Sequence, residues 1–244
     1  MTNVDSVVEA LKVLREINNY NKICELTEEQ LEKYKSLLLE VKKYNKISEE
    51  NSEYPNIKNL KGKALEKLVT YLLNISGGIF EVYEDIRTET NQIDQFVKLN
   101  LTGKALKEIL PFGLQNNFIV ECKNHKTSVG VEYIGKFCSL MITTNIKLGL
   151  FFTCNGISGN HHWDESQGLI RKFYLSKERE EDRHCIIDFN IEDFEKILNG
   201  ENFLSLLEKK IDSLRLDTKY KNLLSKHPVE EKIDIEKLKN LENQ

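Results

Sequence analysis

Glu121 and Lys123 stand two positions apart in the run Asn117-Phe118-Ile119-Val120-Glu121-Cys122-Lys123-Asn124, a short apolar segment that reads as a buried strand. Side chains alternate faces along a strand, so Phe118, Val120 and Cys122 share one face, while Ile119, Glu121 and Lys123 share the other. The carboxylate and the ammonium would leave the backbone about 6.6 Å apart and aimed the same way. An apolar strand must compensate two such charges, because burying an unpaired charge is costly. Three more Glu-x-Lys triplets begin at Glu40, Glu208 and Glu230. All three lie in polar helical or tail sequence, where positions i and i+2 point to different sides. A surface ion pair explains those three. Glu121–Lys123 alone is strand-borne, and it has an acidic partner upstream.

That partner is Asp94, in the strand-like run Ile93–Leu99, where Ile93, Gln95, Val97 and Leu99 share one face and Asp94 and Phe96 the other. A further acid, Glu66, lies in a helix expected over about 59–75, whose Leu65, Leu68, Val69, Leu72 and Leu73 form one apolar stripe. At about 100° per residue Glu66 falls at the edge of the stripe, beside Val69 and Leu73, while Lys63 and Lys67 point away. Taken alone, it reads as a solvated edge residue. Hydrolysing a phosphodiester needs an in-line water, stabilisation of charge on the phosphate and help for the departing oxygen, and a carboxylate-bound divalent cation meets most of these demands. Magnesium takes one or two carboxylates, with waters and phosphate completing its shell. A neighbouring lysine orients or deprotonates the water, or stabilises the charge forming on phosphorus. Asp94, Glu121 and Lys123 are that minimum set, for Mg²⁺ with Mn²⁺ as its substitute. Glu66 is placed to serve a second ion or a water.

Other candidates carry less. His161 and His162 are adjacent in a helix-like stretch and diverge by about 100°, so they do not converge on one ion. His125 reads as a solvated loop histidine. Lys126, Lys136 and Lys147 are candidate contacts to a nucleic-acid backbone. Neither a Walker-type phosphate loop nor a Gly-x-Ser-x-Gly elbow occurs.

The elements that must position these residues follow from the rest of the 244-residue chain. Its 40% hydrophobic and 30% charged residues describe an ordinary globular protein. No apolar run approaches the roughly 20 residues that cross a bilayer, and the polar N-terminus shows no secretory signal, so a cytoplasmic location is expected. A net charge of −4 argues against passive wrapping of nucleic acid, though not against a carboxylate site that takes up cations. Five scattered cysteines form no Cys-x-x-Cys pair, which disfavours a disulfide or zinc scaffold.

Residues 1–55 read as a helical hairpin, with Val7, Val8, Leu11, Leu14 and Ile17 at helical spacing and a capping box from Thr27 to Gln30. Residues 56–190 alternate helix, strands over 79–83, 93–99 and 117–123, a helix over 130–144, a strand over 148–154, a helix from His161 to Tyr174 and a strand over 184–189. A short helix is expected near 104–110. The 26 residues between Asp94 and Glu121 exclude a tight hairpin between their strands. That order is an α/β domain around one mixed sheet. Residues 191–244 form a helical extension, capped at Asn190 and stopped at Gly200, with a charged tail beyond Lys226.

Gly62-Lys63-Ala64-Leu65-Glu66-Lys67-Leu68-Val69, Gln92-Ile93-Asp94, Val120-Glu121-Cys122-Lys123 and Gly149–Ser158 occur in an order that resembles the PD-(D/E)xK nuclease superfamily, and within it the Mrr-like and restriction-endonuclease-like group. Ile93 stands where the motif's name puts proline. The resemblance spans roughly 59–175. It implies a restriction-endonuclease-like core with a central mixed sheet, metal ligation by Asp94 and Glu121, water assistance by Lys123 and an accessory Glu66. It further implies a Mg²⁺-dependent endonuclease acting on DNA, with RNA the second candidate, in restriction or anti-phage defence. The helical ends would then serve a homodimer, a larger assembly or a partner subunit. The competing expectation is a nucleic-acid-binding or scaffold protein that keeps the fold without turnover.

Overall fold

The computed structural model describes residues 24–87, 92–107, 110–111, 114, 117–159 and 165–216. The N-terminal helix expected around Val7–Ile17, the histidines His161 and His162 and the tail beyond Lys226 lie outside the described residues.

Helix α1, Glu28–Glu50, starts where the sequence puts its cap: the Thr27 hydroxyl accepts the Gln30 N–H at 3.2 Å, and Gln30 Oε1 accepts the Thr27 N–H at 2.9 Å. Its Tyr34, Leu37, Leu38 and Val41 are buried. Helix α2, Ile57–Ile75, buries Leu65, Leu68, Val69, Leu72 and Leu73, the stripe read from the sequence. Five strands follow, β1 (Phe80–Arg87), β2 (Gln92–Leu99), β3 (Phe118–Lys123), β4 (Leu148–Thr153) and β5 (Cys185–Phe189), in the spatial order β1-β2-β3-β4-β5. The β1–β2 and β2–β3 pairs are antiparallel; β3–β4 and β4–β5 are parallel. Helices α4 (Val131–Thr144) and α5 (Glu165–Leu175) make the two parallel crossovers. A short α3, Leu101–Ala105, starts ahead of the helix expected near 104–110, because Asn100 Oδ1 accepts the Gly103 N–H at 2.9 Å; residues 108 and 109 of that expectation lie outside the described residues. Helices α6 (Ile191–Leu198) and α7 (Phe203–Leu216) complete seven helices among the described residues. Asn190 caps α6 in a full capping box, and Gly200 follows its end at φ 98°.

Strand alternation divides the core into two layers. Phe118, Val120, Cys122, Leu148, Leu150 and Phe152 face α1, α2, α6 and α7, while Ile119, Phe151 and Ile186 face Ile134, Phe137 and Met141 of α4 and Ile170 of α5. Strand β4 is buried at every position, as its unbroken apolar run implies. The flanking helices share the first of these layers: the Tyr34 hydroxyl donates to the Phe194 carbonyl at 3.0 Å, and Lys42 pairs with Glu195 at 2.7 Å. All five cysteines are buried free thiols. Among the described residues no helix is long and apolar enough to cross a membrane.

Gly149 sets how closely α4 lies on the sheet. A Cβ there would meet the Phe137 ring at 2.5 Å and Met141 Sδ at 2.7 Å. Gly149→Ala is therefore expected to lower stability by about 1–3 kcal/mol through overpacking. Denaturant melts would read this, and an unchanged midpoint would mean that α4 gives way freely.

Candidate active site

Asp94 occupies a break in the sheet. Pairing between β2 and β3 runs through Val97–Phe118, Phe96–Ile119 and Gln95–Val120, then stops. On the other side β1 pairs Glu84 with Gln95 and Ile86 with Ile93, skipping Asp85, whose φ is 53°. Asp94 is thus paired with neither neighbouring strand. In place of a backbone carbonyl, its Oδ2 accepts the Cys122 N–H at 2.8 Å. A bond from a backbone N–H to a carboxylate is charge-assisted and directional. It fixes the Asp94 carboxylate against the residue that lies between Glu121 and Lys123.

Both of those side chains leave the opposite face of β3 from Cys122, the face on which Asp94 lies. The Lys123 ammonium stands 3.6 Å from Asp94 Oδ2 and makes a closer contact with Glu121 Oε1. The three side chains are largely covered, with 15% of Asp94, 17% of Glu121 and 26% of Lys123 exposed. Burial raises the Glu121 pKa from 4.5 to about 6; Asp94 adds to the rise, and the Lys123 charge and hydrogen bond oppose it. Burial works against the Lys123 charge, but Glu121 and Asp94 outweigh it and its pKa is raised.

Glu66 enters from α2, on the other layer. Among the described residues it forms no ion pair with Lys123, yet it lies within the field of the trio. Burial first, then Asp94 and Asp85, raise its pKa, while Lys123 and Lys63 pull it back. A brace explains how a helix on one layer keeps station with a strand residue facing the other. The buried Gln95, next to Asp94, donates from Nε2 to Thr70 Oγ1 at 2.7 Å and to the Glu66 carbonyl at 3.4 Å.

The three candidate backbone lysines separate. Lys126 is exposed in the loop that leaves β3 at the site. Lys136 is exposed on α4 with its ammonium 5.8 Å from the centre of the Tyr133 ring, and Tyr133 in turn packs edge-on to His125 at 4.7 Å. So His125, expected to be solvated, is half-buried against an aromatic ring. Lys147 is not with the others. Strands β3 and β4 run parallel with Lys123 opposite Thr153, so the residue before β4 lies at the far end of the sheet, about 20 Å away along the strand. Its ammonium donates to the Asp182 carbonyl at 3.3 Å.

Two residues at the site were not singled out from the sequence. Asp85 is one; its approach to Glu66 depends on cross-strand register, which no local motif reveals. Lys61 is the other. It sits at helical spacing from Leu65, Leu68 and Leu72, so the stripe itself was the signal.

Among the described residues no three Asp, Glu, His or Cys side chains close into a ready metal cage. The donor set nonetheless fits a hard divalent cation. Asp94 and Glu121 converge on one cationic group, Glu66 adds negative charge nearby, and Glu121 is under-compensated enough to hold its proton to about pH 6. Two protein carboxylates, with water and phosphate making up the shell, is the usual magnesium arrangement.

A family model described as restriction endonuclease, for the Mrr catalytic domain, matches residues 57–167. No curated protein matches the chain.

The raised pKa of Glu121 has a definite sign in stability. The folded chain keeps this proton where the unfolded chain has lost it, so metal-free stability falls as pH rises from about 4.5 to about 6, and the penalty persists above that window. A shift of this size amounts to about 2 kcal/mol. Glu121→Gln is therefore expected to gain about 2 kcal/mol relative to wild type between pH 4.5 and 7 in EDTA. Parallel pH–stability curves for the two proteins would contradict the assignment.

Proposed function

We propose, from a central segment at residues 57–167 that is an Mrr-like, restriction-endonuclease-like nuclease domain, that this chain is a metal-dependent endonuclease hydrolysing phosphodiester bonds in DNA. The observation that carries the reading is the meeting of Asp94, Glu121 and Lys123 at the break in the β2–β3 ladder. Asp94 and Glu121 would hold Mg²⁺, or Mn²⁺ in its place, and Glu66 would add an accessory carboxylate. The ion, when bound, supplies Lewis-acid stabilisation of the phosphate charge and makes water a better nucleophile at neutral pH.

The remaining work falls to side chains of this chain. Lys123, freed from its carboxylate contacts, orients the attacking water and offsets charge growing on the phosphate oxygens. The bond from Cys122 N–H to Asp94 keeps the carboxylate in place while Lys123 turns to substrate. Gln95 holds α2 to β2, which keeps Glu66 at the site. Lys126 and Lys136 fit contacts to the DNA backbone on the side where β3 ends. A role in restriction or anti-phage defence follows from the family, and two copies joined through the helical ends would allow both strands to be cut.

Supercoiled plasmid incubated with Mg²⁺ tests this. Wild type is expected to nick or linearise it, EDTA to stop the reaction, and Lys123→Ala or Asp94→Asn to slow it by about 10²–10³-fold or more. Cleavage that survives both the chelator and the substitutions would refute the mechanism. No cleavage of DNA or RNA and no metal uptake would favour a binding or scaffold protein that keeps the fold.

A further inference from the structure

Lys61 is a charged residue on the wrong face of its helix. It lies on the apolar stripe of α2 and is only 5% exposed. Among the described residues no carboxylate stands within ion-pair distance of its ammonium. Burial lowers its pKa; the Cys154 thiol opposes this, Lys126 adds to it, and Glu49 opposes it weakly. A lysine so placed lowers the stability of the fold unless something anionic compensates it.

Its neighbours tie it to the end of the active strand. Asn124, the residue after Lys123, donates from Nδ2 to the Lys61 carbonyl at 3.0 Å, which joins this turn of α2 to the end of β3. Asn155 donates to the carbonyls of His125 at 2.8 Å and Lys126 at 3.1 Å, so the loop leaving the active strand is pinned near its start. The charges of Lys123 and Lys61 both reach His125, in that same loop.

We propose that Lys61, together with Lys126, holds a backbone phosphate of the nucleic-acid strand, next to the phosphate that meets Asp94, Glu121 and Lys123. This rests on the nuclease reading. It adds a subsite that fixes the register of the strand before chemistry, set on a helix turn and a pinned loop. Its ligand is a phosphodiester oxygen, which accepts from the ammonium and supplies the charge Lys61 lacks.

The full-length chain and a fluorescent DNA duplex in EDTA, titrated across a series of KCl concentrations, test it. Each phosphate neutralised contributes about −0.9 to the slope of log K against log salt. Lys61→Met is expected to weaken binding several-fold and flatten the slope by about 0.9, while Lys61→Arg keeps it. The same Lys61→Met protein should melt at or above the wild-type temperature, since methylenes replace an uncompensated charge. Wild-type binding with an unchanged slope in Lys61→Met overturns the subsite and leaves the nuclease reading standing. So does a lowered melting temperature with unchanged binding, which would make Lys61 structural. Absence of salt-dependent binding by wild type sinks the nuclease reading and the subsite together.

Discussion

In place of a strand partner, the backbone N–H of Cys122 donates to the Asp94 carboxylate. The whole site depends on that substitution. Two buried carboxylates beside each other repel, and the covering of Asp94 and Glu121 removes the water that would screen them. Left to themselves, the two strands would separate at this level or one acid would turn to solvent. The charge-assisted bond anchors Asp94 to β3, while Lys123, two residues from Glu121, bridges the acids on the same face. The cost of assembling the charges has not disappeared. It shows in the Glu121 carboxyl, which burial and Asp94 keep protonated well into the acidic range despite the lysine.

The sheet opens where it must. Continuous pairing through Asp94 would direct all its neighbours into a regular ladder. Pairing instead lapses on both sides, with Asp85 in the left-handed region opposite and Glu121 beyond the last β2–β3 pair. Aspartate tolerates that backbone conformation better than most residues. Either side of the break the structure is stiff: the antiparallel β1–β2 ribbon, the fully buried β4 and the Gln95 brace to α2. A small irregularity in a rigid frame is how precision is obtained without a loop.

The order of elements and the pairing of Glu121 with Lys123 were legible because both depend on local periodicity. Alternation put the pair on one face of β3, and the capping boxes at Thr27 and Asn190 marked helix starts that the structure reproduces. Properties that depend on long-range register were not legible. Lys147 sits near β3 in the chain's order of elements, but parallel pairing carries it to the opposite end of the sheet. Asp85 enters the field of Glu66 only once β1 has folded back on β2. Helix α3 began at the Asn100 cap instead of the apolar residues near 104–110, a case of a polar start signal outweighing composition. Lys61 differs from these. Its spacing to Leu65 and Leu68 was visible, and an assumption that lysine belongs outside hid it.

Seen together, the two electrostatic defects of the domain are complementary. At the end of β3, the Glu121 carboxylate stands short of positive charge; in the nearby turn of α2, Lys61 stands short of negative charge. A divalent cation alone would relieve the first and a phosphate alone the second. In the proposed reading a nucleic-acid strand with its counter-cation would relieve both at once, one phosphate meeting the ion and the neighbouring phosphate the lysine. Binding of either then favours the other, as linkage requires when each lowers the energy of a shared site. Such a site would also reconcile a net charge of −4 with the proposed polyanionic substrate. Attraction would then come from a few partly covered cations, where low dielectric strengthens each of them, and not from the net charge of the chain.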